Sequence, residues 1–186
     1  ILARDAAFKS IFCYAKNCEE WFAKKTNLIL RGGGKLNEEE NESQLNTILK
    51  FYTLLSSGDA FIRFYAYYFG QRLLQGNFSR DNEAAMLGKL KQMCSFVEVY
   101  KLQRMFNDIH LSDDLNHHFR AYLASSTQEQ QQQQTKSIDF SCTILTLGSW
   151  PLFTSSINCV VPRPIEPMMN QFAQFYEKQQ YKGRKL

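Results

Sequence analysis

Apolar side chains recur at intervals of three and four along most of the first 124 positions, the spacing of helices that bury one face. Phe8, Ile11, Phe12, Ala15, Phe22 and Ala23, with the apolar run at 28–30, predict one amphipathic helix from Asp5 to about Leu30, ended by Gly32-Gly33-Gly34. Asn37 with Glu40 three residues on has the form of a capping pair, and the acidic run 38–40 suits a helix N-terminus. A second helix then carries Leu45, Ile48, Leu49, Tyr52 and Leu55. Beyond Ser56-Ser57-Gly58-Asp59, the positions of Phe61, Phe64, Tyr65, Phe69, Leu73 and Leu74 predict a third, stopped at Gly76. Ser79 or Asp81 opens a fourth bearing Met86, Leu87, Leu90 and Met93, and a fifth carries Tyr100, Leu102, Met105, Phe106 and Ile109. Ser112 and Asp113 read as caps of a sixth, with Leu115, Phe119, Tyr122 and Leu123 on its buried side.

The pattern then breaks. Residues 130–134 are five consecutive glutamines, and nothing apolar nearby offsets the entropy of ordering that backbone. Further on, Phe140, Cys142 and Ile144 alternate with Ser141 and Thr143, and residues 157–161 are rich in β-branched side chains, so both stretches are expected to be strands. Pro162, Pro164 and Pro167 lead to a last helix with Met168, Phe172, Phe175 and Tyr176 on one side, expected to cover a small sheet, and with Gln171, Gln174 and Lys178 outward. The expected fold is mainly α: a multi-helix bundle over 1–126, a Gln-rich flexible loop over 127–138, and over 139–186 the beginning of a small α/β (α+β) region of two strands and a helix.

Composition narrows the class. With 44% hydrophobic and 14% aromatic residues the chain is too apolar to be disordered. No run of about 18 apolar residues suggests a membrane span, and Arg4, Asp5 and Lys9 do not suit a secretion signal, so an intracellular, soluble setting is expected. Five cysteines, an odd number set in apolar surroundings, read as reduced core thiols rather than a disulfide framework. The formal charge of +4 favours an acidic partner surface without requiring nucleic acid. The Ile1 start and the ending after Gly183-Arg184-Lys185 read as those of a fragment.

Chemistry is sparse. Cys13-x4-Cys18 is a poor ligand pair and the other cysteines are scattered, so no zinc site is expected. The adjacent His117 and His118 point about 100° apart on a helix and, with His110, read as surface or helix-end residues. Cys94 beside Leu90, Met93 and Phe96 reads as structural, although a nucleophilic pairing with His110 is conceivable. Gly32-Gly33-Gly34 lacks the strand and the Gly-Lys-Ser/Thr of a phosphate loop. Phe61, Phe64, Tyr65, Tyr67, Tyr68 and Phe69 spread wider than one stripe, which leaves core packing and a partner-binding face both open. Lys89, Lys91, Lys101 and Arg104 supply an alternative function, a stand-alone helical module binding acidic partners or nucleic acid.

Some motifs occur in a telling order. Glu20-x-x-Ala23-Lys24, Phe61-x-x-Phe64-Tyr65, Arg72-Leu73-Leu74 and Lys89-Leu90-Lys91-Gln92-x-Cys94 come first. Lys101-Leu102-Gln103-Arg104-Met105-Phe106-x-Asp108-Ile109, Ser112-x-Asp114-Leu115-Asn116-x-x-Phe119, Gly148-Ser149-Trp150-Pro151, Phe175-Tyr176 and Gly183-Arg184-Lys185-Leu186 follow. Together they resemble consecutive landmarks of the cullin homology region. Tyr181-Lys182 stand where the family carries His-Ser, the mark of a divergent member.

The resemblance implies a non-catalytic scaffold segment of a cullin-RING ubiquitin ligase, from its carboxy-terminal half, with no cofactor, no metal and no catalytic residue. Such a segment docks a RING-box protein, which holds a ubiquitin-conjugating enzyme near the substrate at high effective concentration. The implied partners are thus the RING-box protein, indirectly the conjugating enzyme, and a cullin exchange factor, with neither membrane nor nucleic acid, in cytoplasm and nucleus. In the family a RING-box strand joins the cullin sheet by β-augmentation. By resemblance, Phe140, Cys142, Ile144, Leu145, Thr146, Leu147 and Trp150 are the partner-binding residues, Trp150 serving either the interface or the packing of the sheet. The lysine that accepts a ubiquitin-like modifier lies outside these residues.

Overall fold

The computed structural model describes residues 2–15, 17–31, 38–55, 57–127, 139–151 and 160–179. The expectations for Gly32-Gly33-Gly34, the Asn37 cap, the glutamine run, residues 157–159 and the terminal Gly183-Arg184-Lys185-Leu186 lie outside them. The described residues form seven helices: α1 (Leu2–Tyr14), α2 (Cys18–Leu30), α3 (Glu38–Tyr52), α4 (Gly58–Gln75), α5 (Arg80–Lys91), α6 (Phe96–Thr127) and α7 (Glu166–Gln179). The chain divides into two compact units, one of Ile1–Ile109 with Leu145–Leu152, the other of His110–Ile144 with Phe153–Leu186.

In the first unit α2 packs mainly on α4. The helix expected from Asp5 to Leu30 is two helices, because Asn17 takes a left-handed conformation at φ 64°, one that asparagine tolerates better than most residues. α1 attaches through aromatics: Phe8 and Phe12 meet Phe51 edge-on, and Phe12 meets Phe22. In α4, Phe61, Tyr65 and Phe69 are fully buried and stacked at successive turns. Phe64 and Tyr67 remain partly exposed at 37% and 41%. Core packing therefore explains three of the six aromatics whose role the sequence left open.

The ends of α4 and α5 follow local chemistry. The Ser57 hydroxyl accepts from the Ala60 N–H and that of Ser79 from the Asn82 N–H, so Ser79 rather than Asp81 caps α5. Gly76 closes α4 at φ 68°, and the N–H of Asn77 reaches back to the Arg72 carbonyl at 3.2 Å, as in a Schellman ending. Inside, Arg72 pairs with Glu83 through two bonds of 2.6 and 3.1 Å and donates to the Asn27 side chain at 2.8 Å. Burial works against the Arg72 charge, yet the bonds to Glu83, with the fields of Tyr65 and Glu83, more than offset it and its pKa rises. The Tyr65 hydroxyl, which reaches Glu83 at 3.4 Å, is pushed up by burial first and then by that carboxylate.

One helix replaces the expected fifth and sixth. Ser95 and Glu98 start it with a reciprocal capping box, and no glycine or proline interrupts it before Thr127. Ser112 and Asp113 are interior residues of this helix, and the Ser112 hydroxyl bonds elsewhere.

The second unit is built on aromatic packing. Leu115 and Phe119 of α6 close on Phe172, Phe175 and Tyr176 of α7, with Phe140, Cys142 and Ile144 half-buried beside them. Phe119 lies 5.0 Å from Phe172 and 5.4 Å from Phe175. α7 presents Met168, Phe172, Phe175 and Tyr176 inward and Gln171, Gln174 and Lys178 outward, as its spacing predicted. Pro167 sits in the first turn of α7, where a missing N–H costs little.

The expected α/β region is corrected. The described residues contain no strand: 139–146 are irregular, and neither Val160 nor Val161 is in a strand. The physical reason in 139–146 is that the alternating segment hydrogen-bonds to side chains of α6 instead of to a neighbouring backbone. α7 consequently covers aromatic side chains rather than a sheet.

Candidate functional site

The predicted partner-binding residues fall in both units. In the first, Asp108 of α6 is the anchor. Its carboxylate accepts the Thr146 N–H, the Thr146 hydroxyl and the Trp150 indole N–H, each at 2.7 Å. Such charge-assisted bonds are about twice as strong as neutral ones, and three on one carboxylate fix both side chains. Trp150 is buried and packs beside Gly70, where a Cβ would stand 3.2 Å from Met105 and 3.6 Å from the indole. Trp150 is thus a packing residue of this unit. Leu145 also turns to its core, whereas Leu147 is 91% exposed just before a Gly148 at φ 79°.

In the second unit the anchors are Ser112 and Asn116. The Asn116 amide accepts the Cys142 N–H at 3.0 Å and donates to the Cys142 carbonyl at 2.8 Å. The Ser112 hydroxyl accepts the Ile144 N–H at 2.9 Å and donates to its carbonyl at 3.4 Å. Phe140, Cys142 and Ile144 point their side chains toward the Phe119 cluster, while Ser141 and Thr143 are exposed. Burial pushes the Cys142 thiol up to about 11.

Sequence reasoning missed Asp108, Ser112 and Asn116 as a set. The signal available was the spacing, since three polar residues four apart share one face of a helix; the structure adds that two of them, Asp108 and Ser112, are buried. Ser112 was misread because a serine before aspartates also has the form of a cap.

The other candidates have different roles. The Cys94 thiol lies 3.4 Å from the Tyr52 hydroxyl; burial raises its pKa and outweighs the bond to Tyr52, which lowers it, so the thiol form is favoured over the nucleophilic thiolate. His117 and His118 are exposed and His110 is half-buried. Lys89 is bonded to Glu42 and Asn46, and Arg104 lies over the Tyr100 ring, so two members of the basic quartet are already engaged within the fold. Cys18, Cys94 and Cys142 are half-buried free thiols. Among the described residues no three His, Cys, Asp or Glu side chains gather as a metal site, and no helix is long and apolar enough to cross a membrane.

Residues 2–116 match the cullin alpha solenoid domain. The chain belongs to the cullin family. It is 36% identical to cullin-1 of Dictyostelium discoideum over 90% of this chain and 21% of that protein. Against cullin-1 of Schizosaccharomyces pombe the identity is 31%, over 98% of this chain and 23% of the relative. Human cullin-4A is 35% identical over 90% and 21% respectively. The chain therefore spans about a fifth of the length of these cullins. The cullin match over 2–116 takes in all three anchors on α6, Asp108, Ser112 and Asn116.

Proposed function

We propose that this cullin segment is a non-catalytic scaffold piece of a cullin-RING ubiquitin ligase, and that residues 139–151 dock a RING-box protein. Family membership over 2–116 is the observation that carries this reading. The geometry agrees with it. Backbone held by helix side chains at Cys142 and Ile144, next to exposed Ser141 and Thr143, suits an incoming strand. Pairing with that strand would supply the sheet that the described residues lack. The RING-box protein in turn holds a ubiquitin-conjugating enzyme near the substrate, and a cullin exchange factor is a further partner of such a scaffold. Such work belongs in cytoplasm and nucleus.

The test is co-purification of the full-length gene product with a RING-box protein under native conditions. Ile144→Asp puts a charge at the docking segment, and Trp150→Ala removes its support on Asp108; both are expected to reduce capture while circular dichroism shows helices retained. Failure of the unmodified protein to capture any RING-box protein would end the proposal.

A further inference from the structure

The bonds at Cys142 and Ile144 reproduce one side of a β-ladder with side chains. In an antiparallel pair, a hydrogen-bonded residue exchanges both its N–H and its C=O with the residue opposite. Asn116 makes that same double exchange with Cys142 through its amide, and Ser112 makes it with Ile144 through one hydroxyl. The spacings agree. Four residues of helix rise about 6 Å, and two residues of strand about 6.6–6.8 Å, so alternate residues of the segment meet successive polar positions of α6. Register is fixed a second time, because Phe140, Cys142 and Ile144 pack against the Phe119 cluster and a slip by one residue would expose all three.

We infer that Ser112 and Asn116 are positioning residues that stand in for a neighbouring strand and hold 140–144 in strand form, leaving its opposite edge set for a partner's strand. In a strand the N–H and C=O of the intervening residues face the other edge. Among the described residues neither Ser141 nor Thr143 is hydrogen-bonded to another backbone group, and both are exposed. The ordering of this segment is complete before a partner arrives, which raises affinity by removing that cost from binding. Small polar side chains are the means, since a true strand in this place would need a second segment of chain. The inference rests on the docking reading above and names the residues that prepare that site.

Residue-resolved amide exchange on the full-length gene product tests it. In the absence of partner, the Cys142 and Ile144 amides are expected to exchange about tenfold or more slowly than those of Ser141 and Thr143, the factor that one well-made hydrogen bond can supply. Asn116→Leu removes the protection of Cys142, and Asn116→Asp, which keeps the acceptor, retains it. Ser112→Ala removes that of Ile144, and Ser112→Thr retains it. Exchange in α7 reports that each variant is folded. Capture of a RING-box protein is expected to weaken about tenfold in Asn116→Leu and Ser112→Ala and to recover in Ser112→Thr. Uniform exchange across 141–144, or exchange untouched by the substitutions, would overturn the inference, as would wild-type capture by Asn116→Leu and Ser112→Ala. An intact exchange pattern with no capture by the unmodified protein would sink the docking reading instead.

Discussion

Arg72 and Glu83 illustrate what single residues do in this molecule. Both are almost wholly buried, and a buried ion pair is tolerable only where its remaining groups are bonded. Asn27 and Tyr65 supply those bonds from α2 and α4, so the pair ties three helices at one point. Cys142 makes a different case, a thiol whose burial opposes ionisation. Its folded-state pKa of about 11 lies above the ordinary value of 9.0, so the folded state binds the proton more tightly than the unfolded chain. The stability this contributes is complete below pH 9.0 and is lost as pH rises toward 11. We expect alkylation of Cys142 in the native protein to accelerate with pH until near 11. A rate that levels off near 9.0, measured by mass spectrometry of labelled peptides, would contradict the burial.

The elements owe their limits to local chemistry. Ser57, Ser79 and the Ser95–Glu98 box start helices where the sequence offers a hydroxyl or carboxylate to otherwise unpaired N–H groups. Gly76 stops α4 because its φ of 68° is strained for a residue with a Cβ. Space is not the issue, since nothing lies within 4 Å of a Cβ placed there. Gly76→Ala is therefore expected to destabilise by about 1–2 kcal/mol, the left-handed penalty alone, measured by urea denaturation. α6 shows the opposite case, a run with cap-like residues that continues through them. Ser112 and Asp113 looked like a start because short polar side chains favour caps, but an unbroken helix on both sides left them inside.

Each unit has its own core, and the cores differ in build. The first gathers side chains from five helices and part of α6 around the Phe61, Tyr65 and Phe69 stack. The second relies on few contributors, with Phe119 fully buried at the meeting of Phe140, Tyr122, Phe172 and Phe175. A small core cannot distribute the loss of its central ring. Phe119→Ala is expected to cost about 3–5 kcal/mol and to speed amide exchange in α7. Amides of α4, in the other unit, are expected to keep most of their protection; equal loss in both would show that the two cores unfold as one.

What the sequence determined by itself was the helical character of the chain, the inward faces of α5 and α7, the stop at Gly76 and the family; on α4 it marked Phe61, Tyr65, Phe69 and Leu73 correctly but also Phe64 and Leu74, which are exposed. These follow from periodicity, from single-residue preferences and from motif order, which act over a turn or two of chain. Three things waited for the tertiary structure. The break at Asn17 rests on a conformation that asparagine permits but does not demand. The unbroken α6 depends on where the Ser112 hydroxyl finds its partner, 32 residues away in the chain. The segment around Cys142 carries the alternation of a strand, but pairing, which alone makes a strand, is decided by whatever lies alongside. Here it is α6, whose asparagine and serine side chains take the place of a backbone.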